Sequence, residues 1–289
     1  MLRVGLAGLG NVGAPLARNL LAGGLPVTGL ARSAKPELEA LGLERARSVA
    51  ELADRSDVIV TALPGAEALD TLVTVLSRHP GRARILADMS SYDLAAKADN
   101  ARRLAGAGVT HLDCEISGLP PMIRRREAVI FKSGDAGAVA ELAPVFDAMT
   151  CHHFMLGDFG AATKMKLIAN LMVCVHNLMA AEALNLGERA GLRKEDMIAV
   201  LEGSAASSST FRFKAPLMAR RDFDAGIGPF EHMFGYLDRV ERLAEGVGAR
   251  SALLQAARGL YGQAEAEGRH AQDIAAILEI VEAQNRRPQ

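Results

Sequence analysis

The sequence predicts an α/β, doubly wound parallel sheet followed by an all-α C-terminal domain, the two joined by a long helix. Short Val-, Ile- and Leu-rich runs alternate with amphipathic segments over the first half, as crossover units require. A glycine-rich turn directly follows the first run. Beyond Gly157 strand-like runs stop and a helical period takes over. A chain of 289 residues, 49% hydrophobic and 23% charged, has room for two cores. The boundary is expected at residue 157, giving domains 1–157 and 158–289.

In order, strands are expected at Leu2–Ala7, Pro26–Leu30, Asp57–Leu63, Arg84–Asp88 and Val109–Asp113, with two more at Ala128–Lys132 and His152–Phe154. Helices are expected at Ala14–Leu21, Gly65–Ser77, Asp93–Ala105 and Ala136–Met149. The helical half begins with an uninterrupted pattern from Ala161 to Ala190. It continues with Lys194–Gly203, Phe230–Glu245, Ser251–Glu267 and Asp273–Gln284, and Ala205–Thr210 reads as a Ser-rich loop.

Composition narrows the function. A net charge of −1, few aromatics and no Trp give no basis for binding nucleic acid. Cys114, Cys151 and Cys174 are scattered and lack metal-ligand spacing, which suits reduced thiols in a cytoplasmic protein. His111, His152 and His153 also lack such spacing, so no metal is expected. The N-terminus is too short and glycine-broken for a signal peptide. The apolar stretch Leu167–Leu186 is interrupted by Asn170, His176, Asn177, Glu182 and Asn185, which favours a buried helix over a membrane span.

Gly8-Leu9-Gly10-Asn11-Val12-Gly13 sits between the first strand and first helix, the context a dinucleotide-binding (Rossmann-type) fingerprint needs. One glycine permits the turn, the next lets backbone approach a pyrophosphate, and the last allows close helix–strand packing. The helix N-terminus adds unpaired N–H donors. Gly8, Gly10, Asn11, Val12 and Gly13 are therefore candidate cofactor-binding residues. At the end of the second strand, where NAD sites usually carry Asp or Glu, stand Ala31-Arg32-Ser33. A cation and a hydroxyl suit a 2′-phosphate, so NADP(H) is expected, bound through Arg32 and Ser33.

The glycine segment, with four others, resembles the β-hydroxyacid dehydrogenase family, which includes 3-hydroxyisobutyrate dehydrogenase and tartronate semialdehyde reductase. The plan is also similar to 6-phosphogluconate dehydrogenase. The glycine motif continues through Ala14-Pro15-Leu16-Ala17-Arg18-Asn19-Leu20. Ala62-Leu63-Pro64 and Asp88-Met89-Ser90-Ser91 resemble the two loops that approach the nicotinamide. Asp113-Cys114-Glu115-Ile116-Ser117-Gly118-Leu119 resembles the substrate-binding D-x-P-V-S-G-G, and Gly160 to Asn170 the catalytic G-x-G-x-x-x-K-x-x-N-N.

The resemblance implies that Leu63, Pro64 and Ser91 contact the cofactor. It also implies that Ser117, Gly118 and Leu119 bind substrate, and that Lys166 and Asn170 join Ser117 in catalysis and substrate binding. Lys166 would be general acid in reduction and general base in oxidation; its spacing to Gly160 and Asn170 selects it over Lys164. Arg124, Arg125 and Arg126 form a charge run more typical of a solvated face. The helical domain would also form the interface of a homodimer or homotetramer.

The chain departs from the family in places. A usual Lys-Asp pair falls at Gly235-Tyr236, so Tyr236 is either a replacement hydroxyl donor or a packing residue. The loop proline is Glu115, its second glycine is Leu119, and a further glycine falls at Arg126. The expected activity is NADPH-dependent interconversion of a small β-hydroxyacid and its semialdehyde or keto form. The alternatives are imine reduction, whose enzymes typically lack the catalytic lysine, and a non-catalytic nucleotide-binding protein.

Overall fold

The computed structural model describes residues 1–224 and 228–285. The chain divides into two compact units, Met1–Lys166 and Leu167–Gln289. Among the described residues of the first unit, eight strands form one sheet: β1 Val4–Ala7, β2 Val27–Leu30, β3 Glu44–Arg45, β4 Val58–Thr61, β5 Ile85–Asp88, β6 Thr110–Ser117, β7 Val129–Ser133 and β8 His152–Met155. Their order is β3-β2-β1-β4-β5-β6-β7-β8, which puts the reversal of winding between β1 and β4.

Alternation along the strands supplies both faces. Val4, Leu6, Val58, Val60, Ile85 and Ala87 join one core with Leu16 and Leu20 of the helix Gly13–Ala22 and Phe146 of the helix Ala143–Met149. The residues between them, Ile59 and Leu86, join another with Leu52 of the helix Val49–Arg55 and Leu69 and Leu76 of Ala66–Leu76. This is the double winding expected of an α/β sheet with helices on both sides.

The sheet departs from the expected parallel arrangement at one place. β6 pairs antiparallel with β7, and β7 then pairs parallel with β8. Only the five-residue helix Pro120–Arg124 lies between β6 and β7, too little for a crossover, so the chain returns. β6 also runs on to Ser117, beyond the expected end at Asp113, because Asp113 and Glu115 break the apolar run while remaining buried. The helix expected over Ala136–Met149 is two, Ala136–Glu141 and Ala143–Met149, parted where Pro144 cannot continue the hydrogen-bond ladder.

Arg126 is left-handed, with φ 62°, at the position where the resemblance expects glycine. Its carbonyl accepts from Thr150 Oγ1 (3.2 Å) and from the Cys151 N–H (3.0 Å), so local hydrogen bonds hold a conformation unfavourable to a Cβ.

The second unit is helical. The 29-residue helix Ala161–Arg189 runs across the division and is long and apolar enough to span a membrane. Within the helical unit, however, its Leu167, Cys174, Leu178, Ala181 and Leu184 belong to the core with Phe211, Phe230, Leu237, Tyr261 and Ile277. Asn177 is fully buried there, donating to Tyr261 Oη (3.0 Å) and the Ile274 carbonyl (2.8 Å). A helix Ser209–Arg220 starts inside the expected Ser-rich loop: Ser208 Oγ caps it by accepting from the Phe211 N–H at 3.0 Å. Its internal Pro216 is what conceals it in the sequence.

Candidate active site

The pairing register aligns the carboxyl ends of the central strands. Leu30, Ala7, Thr61, Asp88 and Asp113 form one row across β2, β1, β4, β5 and β6. The loops that leave this row carry the candidate residues. In open α/β sheets this edge, near the reversal of strand order, is where ligands bind.

The glycine loop leaves β1. Gly8 has φ +95°, and a Cβ there would stand 2.3 Å from the Ala62 carbonyl oxygen. At Gly13 a Cβ would lie 1.8 Å from the Gly8 carbonyl oxygen, so these two glycines are demanded by the protein itself. Gly10 differs: a Cβ would meet nothing within 4 Å among the described residues. Gly10 and Asn11 are exposed, and Val12 heads the helix without a side-chain cap or an acidic residue in its first turn. An open glycine before an uncapped, carboxylate-free helix start fits an approaching pyrophosphate. Asn19, from the same motif, is instead a buried cross-link donating to the carbonyls of Ile123 (2.7 Å) and Met149 (3.1 Å).

Arg32 and Ser33 follow β2 and are exposed; Arg32 has no hydrogen bond or ion pair among the described residues. The two loops expected near a nicotinamide are tied together. The Leu63 N–H donates to Ser90 Oγ (3.1 Å), and Asp88 accepts from the Ser90 N–H (3.0 Å) and Thr61 Oγ1 (2.6 Å). Pro64 is exposed beside Leu63, and Ser91 Oγ donates to Glu115 Oε2.

Behind these loops lies a buried charge network that the sequence reading did not identify. Lys97, fully buried on the helix Leu94–Ala105, donates to Asp113 Oδ1 (2.8 Å) and Glu115 Oε1 (3.1 Å). Asp113 also accepts from Ser133 Oγ (3.0 Å), the Thr163 N–H (2.9 Å) and Thr163 Oγ1 (2.7 Å). Asp88 receives the Tyr92 hydroxyl at 2.7 Å, and His111 Nε2 lies 3.5 Å away. Burial works against the Asp88 and Asp113 charges, but Lys97, with the hydrogen-bond donors, outweighs it and holds both below the usual carboxylate range. Burial prevails at Glu115, raising its pKa despite Lys97, Lys166 and Ser91. The available signal was periodicity: Lys97 shares the buried stripe with Asn100 and Leu104.

Lys166 is half-buried and donates to the Ile116 carbonyl at 2.8 Å, whereas Lys164 is exposed. That brings its ammonium to the backbone between Glu115 and Ser117. Ser117 is half-buried at the end of β6, and Gly118 leaves no room for a Cβ, which would stand 2.8 Å from Ala128 Cβ. Leu119 precedes the helix Pro120–Arg124. Thus Leu63, Ser91, Ser117 and Lys166 share one linked network or its adjoining backbone.

Asn170 and Tyr236 belong to the helical unit. Asn170 is buried, and its Nδ2 has no hydrogen-bond partner among the described residues. Tyr236 is partly buried against the helical core, with the Arg239 guanidinium 4.4 Å from its ring centre. Arg125 pairs with Glu127, and Arg126 donates to the Asp147 carbonyl, so these two cations have local partners. Burial raises the Cys114 thiol well above its ordinary pKa and pushes Cys174 up to about 12, leaving neither suited to thiolate chemistry near neutral pH.

The NAD binding domain of 6-phosphogluconate dehydrogenase matches residues 3–157, and the NAD-binding domain of NADP-dependent 3-hydroxyisobutyrate dehydrogenase matches residues 160–281. Glyoxylate/succinic semialdehyde reductase 2 of Arabidopsis thaliana is 25% identical over 97% of this chain and 79% of its own. A probable 3-hydroxyisobutyrate dehydrogenase-like protein of the same plant is 30% identical over 77% of this chain and 76% of its own. The crystal structure of 3-hydroxyisobutyrate dehydrogenase from Salmonella typhimurium superposes with a TM-score of 0.87 at 25% identity, covering 97% of this chain and 100% of that one. Sheet order, glycine loop and these matches agree: the chain belongs to the β-hydroxyacid dehydrogenase family of NAD(P)-dependent oxidoreductases acting on CH–OH groups.

Proposed function

We propose that the protein is an NADPH-dependent reductase of a small semialdehyde or keto acid, also running the reverse oxidation of the β-hydroxyacid. The observation that carries this is the Lys166 ammonium at the Ile116 carbonyl, one residue from Ser117 at the carboxyl end of β6. There a lysine can deliver a proton to a substrate oxygen, and the same lysine, deprotonated, accepts one in the oxidation. The Ser117 hydroxyl and neighbouring backbone N–H groups would receive the substrate carboxylate. Asn170, one helical turn beyond Lys166, brings a buried amide with an unmatched donor, which suits a substrate contact. The bound dinucleotide would supply or accept the hydride. Gly8, Gly10, Asn11, Val12 and Gly13 would cradle its pyrophosphate, and Leu63, Pro64 and Ser91 would border its nicotinamide.

Arg32, exposed and without a protein partner among the described residues, supports recognition of a 2′-phosphate, with Ser33 as a second donor. We place the enzyme in the cytoplasm as a homo-oligomer. The substrates to test first are glyoxylate and succinic semialdehyde, for which one relative is named, and 3-hydroxyisobutyrate in the oxidative direction.

NADPH absorbance followed with these substrates and a cyclic imine tests the reading. Lys166→Ala is expected to lower carbonyl kcat/KM by about 10²–10⁴-fold. Undiminished turnover, or turnover of the imine alone, would overturn the assignment. Arg32→Ala is expected to raise the NADPH KM roughly 10-fold, the loss of one charge-assisted phosphate contact, and to leave the NADH KM nearly unchanged. Equal effects on both cofactors would remove the 2′-phosphate contact.

A further inference from the structure

We propose that Asp113 is a positioning residue for Lys166: with Ser133, it caps the first turn of the helix Ala161–Arg189 from the sheet and so fixes where Lys166 stands against β6. This deepens the reading of Lys166 as proton donor and rests on it.

A helix leaves its first N–H groups without partners, and a side chain just before the helix usually accepts from them. Here the residue before Ala161 is Gly160, which has no side chain to offer. The Lys164 N–H takes the Gly160 carbonyl (3.1 Å), and the Ala161 N–H takes that of Asp158 (3.0 Å). The acceptors for the two N–H groups between them come from distant strands. The Ala162 N–H donates to Ser133 Oγ of β7 (3.0 Å) and the Thr163 N–H to Asp113 Oδ2 of β6 (2.9 Å), 29 and 50 positions away. Thr163 Oγ1 adds a bond to Asp113 Oδ1 (2.7 Å), and Ser133 Oγ donates to Asp113 Oδ2 (3.0 Å). A carboxylate is also the favourable charge at this end of a helix.

A cap supplied by the helix's own chain orders only the local turn. A cap supplied by a strand fixes the helix against that strand, and the directed Thr163 hydroxyl fixes its rotation as well. Lys166 lies three residues beyond Thr163, on the same helical face. Ile116, whose carbonyl accepts from Lys166 Nζ at 2.8 Å, lies three residues beyond Asp113. Three helical residues rise about 4.5 Å and three strand residues about 10 Å, so the lysine stem must span the difference. The tether at Thr163 therefore decides which backbone atom of β6 the ammonium can reach, and that atom adjoins Ser117.

Asp113 is itself firmly placed. It is fully buried, and Lys97 Nζ holds its Oδ1 at 2.8 Å. Thr163 falls at a position that the family motif leaves unspecified, so the hydroxyl tether is not part of the shared pattern.

Thr163→Val keeps the side-chain shape and the N–H bond but removes the hydroxyl. Asp113 retains Lys97, Ser133 and the Thr163 N–H, so no charge is left unpaired. The kcat for carbonyl reduction is expected to fall about 10- to 100-fold, the scale of misplacing a reacting group by about 1 Å. The NADPH Kd should not change, and Thr163→Ser, which keeps the hydroxyl, should recover most of the loss. In the Lys166→Ala background the valine should cost nothing further, whereas loss through general loosening of the fold would add to that of Lys166→Ala. Wild-type kcat in Thr163→Val, or additive losses in the double variant, overturns the inference. Ser133→Ala, which removes the other cap, enters the same cycle should Thr163→Val not fold. Full turnover in Lys166→Ala overturns the functional reading instead. The positioning is then decided by a crystal structure of Thr163→Val: it stands if Lys166 Nζ has left the Ile116 carbonyl and falls if that bond is kept.

Discussion

Lys97→Met is expected to destabilise the protein by about 3–5 kcal/mol, the scale for removing one partner from a buried ion pair. The methionine fills most of the volume, so the loss is electrostatic and not a cavity effect. Lys97 is fully buried and holds Asp113 at 2.8 Å and Glu115 at 3.1 Å, with the Cys114 carbonyl at 3.4 Å. Its charge is also the largest influence keeping buried Asp88 ionised. Without it Asp88 and Asp113 face low dielectric with hydroxyls, backbone amides and one imidazole beside them among the described residues. Against a typical total stability of about 5–15 kcal/mol, such a loss is a large fraction.

The sign of the pH dependence follows. The Asp88 and Asp113 pKa values are lowered in the folded state, so their stabilisation is fully present above the ordinary carboxylate range and is lost as pH falls through their folded values. In Lys97→Met the same carboxylates are held less firmly ionised. The gap between variant and wild type should therefore narrow in acid, where protonation relieves the unpaired charges. Urea unfolding at neutral and acidic pH measures both quantities. Equal stability at neutral pH, or a gap that widens in acid, would contradict the account.

Lys97 also shows where sequence reasoning stopped. The alternation that placed β1, β2, β4 and β5 depends on apolar residues at fixed local spacing, and the structure carries it out faithfully. A lysine in an amphipathic helix reads as a solvated charge, because isolated charges are rarely buried. Its partners lie 16 and 18 positions downstream, and periodicity within one element carries no record of them. Glu115 stood out in the sequence as a departure from proline, yet its link to Ser91 spans 24 positions and exists only once β5 and β6 are paired. The direction of β7 was obscured for a related reason: a strand's composition does not encode which way it runs, whereas the length of the connection before it does. The resemblance singles out Lys166 over Lys164 by its spacing to Gly160 and Asn170; in the structure Lys166 is half-buried against the Ile116 carbonyl and Lys164 is exposed.

Gly13→Ala and Gly10→Ala are expected to fail in opposite ways. At Gly13 the new methyl would sit 1.8 Å from the Gly8 carbonyl oxygen, a backbone atom fixed by the Gly8 N–H bond to Leu30 (2.9 Å) and the start of the helix. Relief requires moving that helix away from β1, so the loss should approach about 3 kcal/mol, the upper range for overpacking a tight core. NADPH binding would fall with it.

At Gly10 the methyl meets no protein atom within 4 Å among the described residues, and the backbone lies outside the left-handed region. The unliganded protein should therefore unfold within about 0.5 kcal/mol of wild type. If the loop's backbone approaches a pyrophosphate here, the methyl occupies the ligand's space, and overpacking of about 1–3 kcal/mol weakens NADPH binding roughly 10- to 100-fold. Fluorescence titration with NADPH and urea unfolding of both variants separate the two roles. Wild-type affinity in Gly10→Ala would show that its open space is not where the dinucleotide lies, and wild-type stability in Gly13→Ala would remove the steric argument for the loop. The pairing is informative because the two glycines are three residues apart in one motif, yet one is expected to answer to the protein's own packing and the other to the dinucleotide.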